Sequence, residues 1–307
     1  MTTSRRGGTA VPGTEDGSVK IEILGSGGAS ATPRAGNDHP VDIEAREKGV
    51  PYARTGPSTF IHGPNILFDT PEESRLQLVR AGISHVTACF YSHWHPDHTM
   101  GRRVWESLNI TGRGWPRSYR TSDVYLPEQV AEDFRTYLGG WDHLAFLEST
   151  GVIRVHEMKD GDSVTIESTT VTPIKLANGY VYAFLVEEGD SSVLIAMDET
   201  EGWQPSPELR ARELDLAVLP IGVFEFHPLT GERRVSEDDP ILEVEATFEV
   251  TLRIARSLKA REIVFSHIEA LNEVGHDDLL LVAERLRADG LPVTIAWDGL
   301  RINLTRP

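Results

Sequence analysis

Apolar and polar positions alternate over 19–24, where VKIEIL sets Val19, Ile21 and Ile23 against Lys20 and Glu22, and this predicts a first strand. It runs into a glycine turn, GSGGAS. Residues 31–57 are polar and without a period, which predicts a loop lying over a surface. Strand patterns return at 58–62 and 65–69, on either side of the turn-forming Gly63-Pro64. Over 71–83, Leu76, Val79 and Ile83 recur at helical spacing behind Glu72 and Glu73, predicting a helix with that apolar stripe. The run VTACFY at 86–91 reads as a short buried strand.

Residues 102–150 are less regular, with a helix predicted near 127–138. Short strands are predicted at 152–156, 163–166, 169–176, 181–187, 193–197 and 214–219, and 223–243 reads as an irregular insertion. A helix at 246–258, a strand at 262–266, a helix at 277–288 and strands at 292–296 and 301–304 complete the pattern. Strands from both halves with helices between them predict a sheet-on-sheet core clad in helices. Residues 1–17 are Gly/Thr/Ser-rich and read as a flexible tail, leaving 18–307 as one domain with insertions near 102–150 and 223–243.

The chemistry concentrates at 91–101, YSHWHPDHTMG. His93 and His95 are two apart, so on extended backbone both imidazoles point to one side. Pro96 disfavours helix at His95. Asp97 can open the following helix, and His98 sits on its first turn. Two ligand pairs on a short bend can therefore face two adjacent metal positions. Imidazole and carboxylate suit zinc, and also manganese or iron, and ions about 3.5–4 Å apart can clamp an in-line displacement.

This segment resembles the H-x-H-x-D-H signature of the metallo-β-lactamase fold. The resemblance runs through roughly 19–304. VKIEILGSGGAS looks like the opening strand and turn of the branch containing phosphoribosyl cyclic phosphodiesterases and ribonuclease Z. NILFDTPEESRLQLVRAGI looks like that branch's second motif, with Asp69 as the aspartate that buttresses a ligand histidine. SVLIAMDET places Asp198 as the bridging carboxylate, and REIVFSHIEA places His267 on the second metal. The resemblance implies an α+β fold, the αββα sandwich, with metals at one edge. It implies metal ligands His93, His95, Asp97, His98, Asp198 and His267, and one or two Zn2+ ions, with Mn2+ or Fe as alternatives.

Three departures matter. The third-motif histidine of the family is matched by Asn178, a weaker, neutral oxygen donor. Spacings of 80 residues from His98 and 20 on to Asp198 support that alignment. The first metal position should then be weak, altered or empty, and the second, from Asp97, His98, Asp198 and His267, complete. His143, His156 and His227 are candidates to substitute in space. The branch's cysteine cluster for a structural zinc is matched by NDHPVD, residues 37–42, a poor ligand set. The branch's acid–base histidine is matched by Glu245, which would donate a proton only with a pKa raised by burial, and which otherwise reads as a helix-start glutamate; His227 is the other candidate for proton transfer.

Charge and composition narrow the partners. Lys+Arg 30 against Asp+Glu 47 gives a formal charge of −17, which repels nucleic acid and anionic lipid, so ribonuclease Z activity is disfavoured. No apolar run is long enough to span a membrane, and the start lacks the apolar core of a secretory signal. The lone Cys89 excludes an intramolecular disulfide, fits a reducing cytoplasm and reads as core packing. Arg102, Arg103, Arg113, Arg117 and Arg120 form a local basic excess, and Arg102 and Arg103 are candidates to bind an anionic substrate. Trp105, Trp115 and Trp141 read as packing, or as the lining of a pocket or homodimer face.

The expectation is a metal-dependent hydrolase in which a cation lowers the pKa of water from about 15.7 towards 7. The hydroxide would attack a small-molecule substrate, first a small anionic phosphodiester, with Asp97 orienting the nucleophile. A lactonase or thioesterase, an iron-dependent redox enzyme, and a non-catalytic binding protein decayed at Asn178 are the alternatives.

Overall fold

In a computed structural model, residues 19–110, 112 and 119–304 are described; the expected tail, Arg113, Trp115 and Arg117 lie outside them. The strands are β1 (Val19–Gly25), β2 (Ser58–His62), β3 (Ile66–Phe68), β4 (Ala88–Phe90), β5 (Ser122–Pro127), β6 (Ile153–Met158), β7 (Val164–Ile166), β8 (Thr169–Lys175), β9 (Tyr182–Glu188), β10 (Ser191–Ile195), β11 (Glu213–Pro220), β12 (Lys259–Ser266), β13 (Val293–Ile295) and β14 (Leu300–Leu304). The helices are α1 (Pro40–Lys48), α2 (Ser74–Ala81), α3 (Pro96–Thr99), α4 (Val104–Asn109), α5 (Glu128–Thr136), α6 (Gly140–Ser149), α7 (Pro207–Ala211), α8 (Ile241–Val244), α9 (Phe248–Ser257) and α10 (His276–Ala288).

Among the described residues the strands form two seven-stranded sheets, ordered β14-β1-β2-β3-β4-β5-β6 and β13-β12-β11-β10-β9-β8-β7. Each is half antiparallel and half parallel: β3 to β6 run parallel in the first, β10 to β13 in the second. Phe68 and Phe90 of the first sheet meet Phe184 of the second at ring distances of 5.1 and 5.8 Å, so the main core lies between the sheets. A second cluster, with Phe248, Ile254, Leu279 and Val282, seats α9 and α10 on the outer face of the second sheet. Helices α2, α5 and α6 contact the first sheet. This is the α+β sandwich that the alternating pattern implies.

The edges of the pattern show why period alone misleads. On β1 the polar position Glu22 is buried because its carboxylate takes His62 Nε2 at 2.8 Å and Arg301 Nε at 3.0 Å from the strands on either side. Helix α2 forms where predicted but turns the other way. Leu76 and Val79 are exposed, and it buries Ser74, Gln77 and Leu78. Gln77 Nε2 donates to Thr55 Oγ1 and the Gly56 carbonyl, so polar pairing to the neighbouring turn outweighed the apolar stripe. The loop expected over 31–57 contains α1. His39 caps it by accepting from Val41 N–H, Pro40 opens it, and Gly49 closes it at φ 67°. Within NDHPVD, Asp42 is fully buried and bound by Arg34 at 2.7 Å. The irregular 102–150 stretch carries α4, β5, α5 and α6. No helix of the described residues is long and apolar enough to cross a membrane.

The parallel strands matter for the site. Asp69 follows β3, His93 follows β4, Asp198 follows β10 and His267 follows β12, so all four leave carboxyl ends of strands at one rim of the sandwich.

Candidate metal centre

Beyond β4 the chain stays extended through His93 and His95, and α3 begins at Pro96. The imidazoles of His93 and His95 lie 4.6 Å apart by ring centre, and His93 and His98 4.1 Å apart. His98 Nε2 and His267 Nε2 approach to 3.4 Å although 169 residues separate them. Asp198 Oδ2 stands between, 3.7 Å from His93 Nε2, 3.7 Å from His98 Nε2 and 3.4 Å from His267 Nε2. Asp97 Oδ2 is 3.2 Å from His98 Nε2 and 3.5 Å from His267 Nε2. The six predicted ligands therefore converge.

Two donor groups result. One is Asp97, His98 and His267; the other is His93, His95, Asp198 and Glu199, each with its ligand atoms within 4.8 Å of one another. Glu199 was not anticipated. Its Oε1 lies 3.1 Å from His95 Nδ1, and its Oε2 accepts from Asn178 Nδ2 at 2.7 Å and from the Tyr180 hydroxyl. Asn178 thus holds a ligand candidate and is not itself in either donor group. The sequence signal was the pair Asp198-Glu199 after an apolar strand. Neighbours on a strand point to opposite faces, but Glu199 has φ 46°, which swings both carboxylates to one side. Asp69 at φ 60° and His267 at φ 51° share that rare backbone, and left-handed non-glycine residues cluster at functional sites.

Supporting groups select which ring nitrogens face the centre. Asp69 Oδ2 takes His98 Nδ1–H at 2.8 Å and the Ser92 hydroxyl at 2.6 Å, while Oδ1 takes Ser92 N–H at 2.7 Å. Ser92 Oγ, having donated to Asp69, accepts from His93 Nδ1–H at 3.0 Å. Both Nε2 atoms are left for the centre. Glu269 Oε1 sits 3.7 Å from His267 Nδ1, and this carboxylate accepts Ala29 N–H at 2.7 Å and Ser30 N–H at 2.8 Å. That gives the GSGGAS turn its purpose. A Cβ on Gly28 would stand 2.2 Å from Glu269 Oε1 and 2.6 Å from His267 Cε1.

The electrostatics fit a cation. Burial and neighbouring imidazoles hold His93 well below the ordinary histidine value, and burial lowers His95. Burial alone would lower His98 and His267 too. Asp97 and Asp69 outweigh it at His98, and Asp198 and Asp97 raise His267 to about 9. Burial would raise Asp97, but His98 and His267 hold it far below the usual carboxylate range. Burial and Asp198 push Glu199 up to about 7. His93 Nε2 and Asp97 Oδ2 are buried with no hydrogen-bond partner. Orphaned polar atoms of this kind are costly, and a metal ligated by neutral imidazole and carboxylate answers both. The residues present fit a divalent metal pair.

A cavity of about 390 Å³ opens on this centre, lined by Asp198, Glu199, His267 and Glu269 and by Glu245 and the segment beginning at Val223. Glu245 is half-buried on its wall, and burial together with Asp198 raises its carboxyl to about 8. Arg102 and Arg103 do not line it. The buried Arg102 guanidinium donates to the carbonyls of Thr99 at 3.0 Å and Leu138 at 3.2 Å, while Arg103 is 82% exposed and pairs with Glu106 at 3.5 Å. His143, His156 and His227 join neither donor group: His156 binds Asp123 at 2.7 Å, and His227 Nδ1 accepts from Leu229 N–H at 3.3 Å. The residue that joins His93 and His95 in their donor group, with Asp198, is Glu199. Trp105 is fully buried, and Trp141 packs under Arg135.

The beta-lactamase superfamily domain model matches residues 64–268, from before β3 to the centre's last histidine. The chain belongs to the beta-lactamase superfamily. No curated protein matches it in sequence. Solved structures of the metallo-β-lactamase fold do match. A diphosphatase from the PhnP family is similar at 21% identity with a TM-score of 0.65, covering 93% of this chain and 97% of that one. Zn2+-bound PqqB from Methylobacterium extorquens is similar at 15% identity and TM-score 0.62, covering 92% of this chain and 99% of that one. The short form of human tRNase Z is similar at 16% identity and TM-score 0.60, covering 94% of this chain and 100% of that one. This superfamily member thus has the expected sandwich and a His/Asp-rich candidate centre, with Glu199 beside His93 and His95.

Proposed function

We propose that this chain is a metal-dependent hydrolase of a small anionic phosphodiester, working with two divalent cations. The observation that carries the reading is Asp198 Oδ2, placed within 3.4–3.7 Å of three imidazoles drawn from both donor groups. His93, His95, Glu199 and the shared Asp198 would hold one cation; Asp97, His98, His267 and Asp198 the other. When bound, such a pair supplies a water of pKa about 7 and neutralises charge on a phosphoryl group. The protein's part follows from its own groups. Asp69 keeps the His98 imidazole turned, and Glu269 adds negative charge beside His267. Asp97, 3.2 Å from His98 Nε2 and 3.5 Å from His267 Nε2, would orient the nucleophile. Glu245 lies on the wall of the same cavity, and burial raises its carboxyl, which favours the acid form as donor of a proton to the leaving oxygen. The similarity to a diphosphatase of the PhnP family supports phosphorus over carbon as the electrophile. The substrate is a small molecule, and nucleic acid and membrane surfaces are not partners of a chain with charge −17.

Zinc is the first metal, but a carboxylate in place of an imidazole makes the first position harder and favours manganese or iron more than a three-histidine site does. That observation supports one second reading, an iron-dependent redox enzyme. Elemental analysis of purified protein, paired with turnover of bis(p-nitrophenyl) phosphate and of a homoserine lactone, tests both. Phosphodiester cleavage with zinc or manganese supports the proposal; oxygen uptake with a reductant and bound iron supports the rival; absence of any transition metal, with none taken up on addition, removes both.

A further inference from the structure

Residues 223–243 supply part of the cavity wall, and two consecutive arginines there have opposite fates. Arg233 is engaged: Nη1 donates to Glu225 at 2.7 Å, Nη2 lies 3.1 Å from Glu237, and the guanidinium covers the Phe226 ring at 4.5 Å. Arg234 lines the cavity, and its ion pair among the described residues is long, 3.4 Å from Nη2 to Glu273. Glu273 is also approached by Arg34 at 3.6 Å and His39 at 3.5 Å, so it does not belong to Arg234 alone. A guanidinium has five N–H donors, and among the described residues the Arg234 side chain donates to Glu273 alone, so the rest of its fork is open to a ligand. The carboxylates near it are committed: Asp239 Oδ1 accepts Ile241 N–H at 3.0 Å, and Glu269 holds two backbone amides. Val223, Phe224, Val235, Ile241 and Leu271 make the apolar part of the remaining wall, beside the polar Glu245, Asn272 and Glu273.

We propose that Arg234 determines specificity, and that the cavity takes a substrate with an apolar body and one anionic group remote from the group that reacts at the metal centre. This rests on the hydrolase reading for where the reacting group sits. At about 390 Å³ the cavity suits a small molecule. Among the described residues, Arg234 is the one arginine or lysine in the lining of that cavity, so its guanidinium is what an anionic end of a ligand would meet. The planar fork of arginine matches a carboxylate or phosphate with two parallel hydrogen bonds. A polyanion fits poorly, because further charges would face Asp239, Glu245 and Glu273.

The test is calorimetric binding to metal-loaded protein of measured metal content. The probes are a medium-chain alkylphosphonate ending in a carboxylate and the same molecule as its terminal methyl ester. Wild type should bind the acid about tenfold more tightly than the ester. Arg234→Met should abolish that preference and leave the ester unchanged, and Arg234→Lys should retain part of it, with circular dichroism verifying the fold of both. Equal binding of the probes by wild type, a preference that persists in Arg234→Met, or no binding of either probe overturns the proposal. Binding is read without turnover. A protein that shows the preference but hydrolyses no ester upholds Arg234 and removes the hydrolase reading, and turnover without the preference does the reverse.

Discussion

The two donor groups share Asp198 but are built on different support. In the group of Asp97, His98 and His267, His98 is fully buried and hydrogen-bonded to the Asp69 carboxylate at 2.8 Å, and the Glu269 carboxylate stands 3.7 Å from His267 Nδ1 as a nearby charge. In the other, His93 is backed by a neutral hydroxyl, the His95 side chain is 29% exposed, and Glu199 is held by Tyr180 and Asn178. Carboxylate backing fixes a ring and raises its basicity. The difference teaches where the absence of a third histidine is met: a hydrogen-bonded carboxylate, Glu199, stands in the donor group of His93 and His95, and the group with His98 does not involve it. The group with His98 should therefore hold its cation more tightly.

The largest expected effect removes what the groups share. Asp198→Ala should lose both cations by elemental analysis and lower phosphodiester turnover by more than about a hundredfold, since even groups behind the ligands cost about 10–100-fold; retention of one cation at full affinity would show that Asp198 does not bridge. Next comes proton transfer. Glu245→Gln should lower kcat by about a hundredfold. The sign follows from the raised carboxyl: activity needs the protonated acid, is present below its pKa and falls as pH rises through it, at about 8 without metal and lower with cations bound. The glutamine variant should lack that alkaline fall; a fall that persists assigns it elsewhere. Asp69→Asn then sharpens the contrast. It should weaken the cation at His98 by about 10–100-fold in chelator competition, with less change at His95.

Much of this was legible. Alternation and β-branched runs marked the strands because both sheets bury one face against the other, and the H-x-H-x-D-H run, Asp69, Asp198 and His267 identified the centre. What escaped shares a physical cause, polar pairing across long sequence distances. Helix α2 turned its face because Gln77 reaches Thr55 and Gly56, and Glu22 went inside because His62 and Arg301 meet it there. Glu199 escaped because a strand period assigns neighbouring side chains to opposite faces, and a single left-handed residue breaks that rule. The arginines 102 and 103 misled for the complementary reason. Local charge excess says nothing of which carbonyls a buried guanidinium will find.

The smallest expected effect bears on the substitution itself. If Glu199 is a ligand, Tyr180 is a positioning residue. Its hydroxyl donates to Glu199 Oε2, and the acidic neighbourhood and burial keep that hydroxyl protonated far above the usual tyrosine range. Tyr180→Phe removes one hydrogen bond to a charged group and keeps the ring beside His95, 5.8 Å away by centre. Asn178 still holds the same oxygen, so the cation at His95 should weaken by about tenfold or less while the one at His98 is unchanged. Equal weakening at both positions would mean that Tyr180 supports the rim as a whole. No change in the wild-type background, but a loss in Asn178→Ala, would mean that the two donors are redundant, and the double variant measures their coupling. Glu199→His completes the comparison. It should shift metal preference towards zinc, because a third imidazole is a softer donor than a carboxylate and restores a three-nitrogen set.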